Sequence, residues 1–188
     1  MSLYMTASQT VGPFFRIGLS ALYRTDLTIG LPSNSYERLR VRGHVYDGDG
    51  LGIPDALLEL WQADAQGQYA NTQLGDATAQ SERFVGFGRV PTDAHGNFEF
   101  VTIEPGRVPS PAGELQAPHI SVHVLMRGLL KPAHTRLYFP DQCLGEDPLL
   151  QALPEARRAT LIARSSVPHL LEWDIHMQGE HETVFFSY

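Results

Sequence analysis

Short apolar stretches, many alternating with polar or small residues, recur along the chain between clusters of Gly, Asp, Asn and Pro. Side chains of a strand point to opposite faces with period two, so this texture predicts half-buried β-strands. Residues 41–46 run into Asp47-Gly48-Asp49-Gly50, and residues 56–63 run into Asp64-Ala65-Gln66-Gly67. Both exits are turn chemistry. Further strands are predicted over 84–90, 98–103, 119–126, 135–139 and 172–178, with Asp93-Ala94-His95-Gly96-Asn97 closing a tight connection. This succession predicts a mainly β fold, a two-sheet β-sandwich.

One helical excursion interrupts the strands. Asp147 is placed to cap a helix opened by Pro148, and residues 154–163 are rich in helix formers, with Pro154 splitting or restarting the helix. Two long segments, 25–39 and 104–116, carry Gly and Pro and are predicted as structured loops. The ending Glu182-Thr183-Val184-Phe185-Phe186-Ser187-Tyr188 is too apolar for a loose tail and is predicted to pair or dock.

Composition narrows the function classes. At 188 residues one domain spanning 1–188 suffices, and burial of roughly 70% of its unfolded surface stabilises it without staples. Fourteen Lys plus Arg against 21 Asp plus Glu give a net charge of −7, which opposes a nucleic-acid partner. Local arginines still permit a small anionic ligand, because distant charge is screened beyond about 10 Å. Cys143 is the only cysteine, so a reducing compartment is the simpler reading. With no signal-like start and no run of about 20 apolar residues, neither export nor a membrane span is expected, and the cytoplasm follows.

The histidines raise the question of a metal. In Ala117-Pro118-His119-Ile120-Ser121-Val122-His123, the pair His119 and His123 shares a strand face but stands roughly 13 Å apart. Two imidazoles that each approach one ion to about 2.1 Å do not span that gap without a bulge. A partner two residues on, roughly 7 Å away at the backbone, would serve. That position is Ser121, a poor substitute for imidazole, so His119 is expected to be a hydrogen-bonded structural residue.

The motifs Ser8-Gln9-Thr10-Val11-Gly12-Pro13-Phe14-Phe15, Leu58-Glu59-Leu60-Trp61-Gln62-Ala63-Asp64-Ala65-Gln66-Gly67-Gln68-Tyr69, Ala117-Pro118-His119-Ile120, Thr135-Arg136-Leu137-Tyr138-Phe139 and Gly179-Glu180-His181-Glu182-Thr183-Val184-Phe185-Phe186 occur in one order over nearly the whole chain. On these motifs the sequence resembles the intradiol ring-cleaving dioxygenases, in particular the iron-free subunit of their heteromeric members. The resemblance implies a partner β subunit that holds Fe3+ through two tyrosinates and two histidines. Tyr69 and His119 match two of those ligands and remain as relics, whereas Val108 and Ser121 replace the other two. Gln116 stands where the iron-bearing subunit has arginine.

The resemblance further implies that this chain supplies Thr10, Gly12, Pro13 and Arg127 to a substrate pocket at the interface between subunits. Its extended N-terminal segment and Arg127, whose charge would offset a substrate carboxylate, carry that role. The implied reaction is O2-dependent cleavage of 3,4-dihydroxybenzoate (protocatechuate) to 3-carboxy-cis,cis-muconate in a higher (αβ)n assembly. No catalytic group and no metal are expected in this chain alone. The alternative expectation is a free-standing β-sandwich binding or structural module.

Overall fold

The period-two pattern is realised as two sheets whose apolar faces meet. The computed structural model describes residues 5–32, 35–70, 84–140 and 142–187. In chain order, helix α1 (Pro13–Leu19) precedes strands β1 (Arg38–Tyr46), β2 (Leu57–Gln62), β3 (Phe87–Pro91) and β4 (Asn97–Ile103). The short strands β5 (Val108–Pro109) and β6 (Leu115–Gln116) lead to β7 (His119–Leu125) and β8 (Ala133–Tyr138). Helices α2 (Pro148–Gln151) and α3 (Glu155–Arg158) then precede β9 (Arg164–Val167), β10 (Leu170–Glu172) and β11 (Ile175–His176).

The first sheet is antiparallel with order β3-β2-β7-β8. In the second, β1 pairs antiparallel with β4 and parallel with both β10 and β11, while β9 pairs with β10. Leu58, Leu60, Val90, Ile120, Val122, Val124 and Leu137 of the first sheet join Val41, Val45, Phe98, Phe100, Leu171 and Ile175 of the second in one buried cluster. Burying each such side chain contributes about 1.5–3 kcal/mol relative to leaving it in water.

The Asp-x-x-Gly turns explain how strands reverse so tightly. Asp47, Asp64 and Asp93 each accept, through Oδ1, the N–H groups two and four residues on. Gly50, Gly67 and Gly96 follow three residues later with φ of 76°, 77° and 82°, a region that residues with a Cβ rarely enter.

Tertiary contacts redrew four expectations. The strand expected over 172–178 is split at residues 173–174, because the Asp174 carboxylate accepts the His44 N–H at 3.0 Å where a backbone carbonyl would otherwise serve. The helix expected over 154–163 ends early. Residues 159–161 form a single 3-10 turn, and Ile162 is extended so that the Ala163 N–H reaches the Tyr138 carbonyl. The loop over 104–116 contains the β5-β6 hairpin, and the Gly12-Pro13 segment opens α1, neither of which was expected.

Two other expectations hold. Asp147 caps α2, its Oδ1 accepting from the N–H groups of Leu149 and Leu150. The C-terminal segment docks on β8, where the Phe186 N–H donates to the His134 carbonyl and Val184 is buried in a second apolar cluster with Tyr138, Leu150 and Leu161.

The crossing of residue 173 over β1 depends on Gly43. A Cβ built there collides with the Trp173 carbonyl oxygen, which is backbone and has no rotamer escape. Gly43→Ala is therefore expected to destabilise the chain by about 3 kcal/mol, within the upper range for overpacking. Urea unfolding checks this, and an unchanged midpoint would contradict the crossing.

Candidate functional site

The residues singled out by the metal question gather on the outer face of the first sheet. Burial of Ile120, Val122 and Val124 in the core sends His119, Ser121 and His123 to the opposite face of β7. Cross-strand register sets Trp61 of β2 and Arg136 of β8 directly beside Ser121. Tyr69 stacks on Trp61 with ring centroids 6.0 Å apart and planes within 5° of parallel. Buried Val108 pairs across the β5-β6 hairpin with Gln116.

Arg136 ties these elements together. Its Nη1 donates to Gln116 Oε1 at 2.5 Å and to the Tyr138 hydroxyl at 3.2 Å. The Tyr138 hydroxyl donates in turn to Asp147 Oδ1 at 3.3 Å, and Asp147 Oδ2 accepts the Ala117 N–H at 2.9 Å. Asp147 is a fully buried carboxylate whose partners are all donors, which is what makes its burial tolerable.

His119 is 4% exposed and its Nδ1 lies 2.8 Å from the Ala117 carbonyl. A carbonyl only accepts, so Nδ1 carries the proton of a neutral ring. Burial, with the charge of Arg136 second, lowers its pKa to about 4. Burial raises the pKa of Tyr69 and of Tyr138, with Arg136 opposing in both cases, so both phenols are neutral near pH 7.

These residues do not fit a ferric ion. Hard Fe3+ calls for anionic oxygen donors, yet Val108 offers none and Ser121 offers only a neutral hydroxyl, which leaves Tyr69 as the one phenol among the four positions. Among the described residues no three His, Cys, Asp or Glu side chains converge on a point. The registers of β7 with β2 and β8 run without a shift, so no bulge brings His123 to His119. His123 instead stands between Glu59 and His134, edge-on to the latter at 4.2 Å.

The second group lies elsewhere. The Thr10 hydroxyl accepts the Gly128 N–H at 2.8 Å, joining the N-terminal segment to the turn that carries Arg127. Gly12 is the N-cap residue of α1 and Pro13 occupies its first turn, a position where the missing N–H costs nothing. Arg16 fixes the helix by donating to the carbonyls of Pro54 at 2.6 Å and Thr92 at 2.7 Å. Arg127 pairs through Nε with Asp55 Oδ2, and its side chain is 60% exposed. Thr10, Gly12, Pro13 and Arg127 are thus brought to one region. That region lies past the far end of β7 from His119, roughly 25 Å along an extended chain.

Sequence reasoning missed Asp55 and the hydrogen-bonded link between Arg136, Tyr138 and Asp147, the last of which it read only as a helix cap. The Pro54-Asp55 step before β2 was a visible turn signal for the first. For the second, the alternation of Arg136 and Tyr138 on one strand face was the available signal.

The state of His119 has a measurable consequence. Between about pH 4 and 6.5 the unfolded chain binds a proton at His119 that the folded chain refuses, so folding stability falls as pH drops through this window. The loss at this residue approaches about 3 kcal/mol at the acid end. Replacing His119→Gln is expected to flatten urea-derived stability between pH 7 and 4 by that order, and parallel profiles for variant and parent would contradict the buried neutral ring.

Comparison with known proteins accords with this geometry. The family model described as Dioxygenase matches residues 11–179. The protocatechuate 3,4-dioxygenase alpha chain of Burkholderia cepacia is 42% identical over 201 residues, covering 99% of this chain and 98% of that one. The beta chain of the same enzyme and organism is 35% identical, covering 78% of this chain and 67% of its own length. Among solved structures, the dioxygenase domain of a dioxygenase carbohydrate-binding protein fusion from Streptomyces sp. SirexAA-E matches with a TM-score of 0.61 at 27% identity, covering 86% of this chain and 89% of that domain. Two packed sheets, the motif order and these relatives lead to one assignment: the chain belongs to the intradiol ring-cleaving dioxygenase family.

Proposed function

We propose that this chain, one domain over 1–188, is the iron-free α-type subunit of a heteromeric cytoplasmic protocatechuate 3,4-dioxygenase. A β-type partner holds Fe3+, and the assembled enzyme uses O2 to open 3,4-dihydroxybenzoate between its hydroxyl-bearing carbons, giving 3-carboxy-cis,cis-muconate. Relatives of this chain are named as alpha and beta chains of that enzyme, which supports the heteromeric reading. No described helix is long and apolar enough to cross a membrane.

The observation that carries the proposal is the separation of the two residue groups. Thr10, Gly12, Pro13 and Arg127 lie past the opposite end of β7 from the vacated ligand positions, so they do not serve a site in their own chain. They serve a site completed by another chain. A Cβ on Gly12 would meet no atom within 4 Å, and φ there is −88°, so nothing in the chain itself requires glycine. A ligand or partner backbone approaching from outside does. Phe14 at 81% and Ile17 at 64% exposure put apolar surface on the same helix, as a covered interface needs.

The division of labour is tested by iron content and ring-cleavage activity of the purified chain alone and with its co-expressed partner. Iron and activity are expected only in the heteromer. Stoichiometric ferric iron and full activity in the isolated chain would overturn the assignment, and a stable homomer that captures no iron-bearing partner would favour the free-standing module.

For the pocket, Arg127→Ala is expected to lower kcat/KM of the heteromer for 3,4-dihydroxybenzoate far more than for catechol, by about 1.5–3 kcal/mol, the scale of a charge-assisted hydrogen bond. Equal losses on both substrates would assign Arg127 to assembly. Gly12→Ala is expected to shift the chain's own stability by less than about 1 kcal/mol, as for a modest change of N-cap, while impairing the heteromer.

A further inference from the structure

The misfit between this site and a ferric ion has a specific agent. We propose that Arg136 is a built-in cation that has taken over the charge role of the absent iron and that by itself keeps metal out, even where the lost ligands are restored. This inference concerns the chain's own vacated site and stands whether or not the chain partners an iron-bearing subunit.

Position is the first argument. Arg136 lies directly across the β7-β8 register from Ser121, where the resemblance puts a lost histidine ligand. Its guanidinium is anchored by Gln116 and Tyr138, and Gln116 itself stands where the iron-bearing subunit has arginine. A positive charge stands in the site on strand β8.

Charge is the second argument. The guanidinium sits within electrostatic reach of both retained ligand positions, Tyr69 and His119. Through Tyr138 it is linked to the buried carboxylate of Asp147, which thereby has a cation at one remove. An arginine cannot shed its proton to make room for a metal, unlike a buried lysine. A trivalent ion entering between Tyr69 and His119 would face a fixed like charge beside it, in a setting where the screening of bulk water is reduced.

The test compares two folded variants of the full chain, Val108→Tyr/Ser121→His and the same pair combined with Arg136→Gln. Each is refolded with ferric iron, and iron per chain is measured together with the visible absorption of tyrosinate-bound iron. The expected result is iron near background in the first and an increase of at least tenfold, approaching one per chain, in the second. Equal iron in both, at any level, overturns the proposal.

Because Val108 is buried, its replacement can block folding. In that case Ser121→His with and without Arg136→Gln is compared by calorimetry with Zn2+ alone. At least tenfold tighter binding without the arginine is expected, and equal behaviour of the two overturns the proposal as well.

Discussion

The strict alternation of β7 is the constraint on which the rest of the structure depends. Its even positions must fill the space between two sheets, so its odd positions are committed to the outer face, and a slip of one residue would exchange them. With β2 and β8 paired on its two sides, β7 has no freedom to bulge. His123 therefore cannot be brought to the position of Ser121, because both the core and the ladders would have to be broken to move it.

On the outer face a chain of hydrogen bonds runs from Gln116 through Arg136 and Tyr138 to Asp147. Asp147 ends that chain and at the same time caps α2 and holds the Ala117 N–H at the entrance to β7. One buried carboxylate thus sets the start of a helix, the start of a strand and the orientation of a phenol. Networks of this kind are stable only when every member is satisfied.

Much of the fold was legible in the sequence because local chemistry and global packing agree there. The apolar alternation of β1, β2 and β7, the three Asp-x-x-Gly turns and the Asp147-Pro148 helix start are all short-range signals. The parts that were not legible depend on distant partners. Helix α1 spans only Pro13–Leu19, too short to stand on propensity, and is held by Arg16 reaching the carbonyls of Pro54 and Thr92. The break between β10 and β11 follows from a carboxylate that competes with the backbone for the His44 N–H. In the site, the motifs place Tyr69 and His119 in the sequence, yet the neighbourhood of Arg136 with Ser121 requires the register of β8 against β7.

Arg127 and Arg136 place local positive charge in a chain of net charge −7. Arg136 is half-buried and donates to Gln116 and Tyr138 of its own chain. Arg127 is exposed on the turn after β7 and shares its charge with Asp55, whose own side chain is mostly buried. An anionic group arriving at Arg127 has to compete with, or share the guanidinium with, a carboxylate already in place. A planar guanidinium has donors enough for both, and the edge left open by the Nε contact is the one a carboxylate could use. Asp55 then orients Arg127 rather than silencing it, and selectivity for a carboxylated ring would rest on a side chain whose direction is set before the substrate arrives.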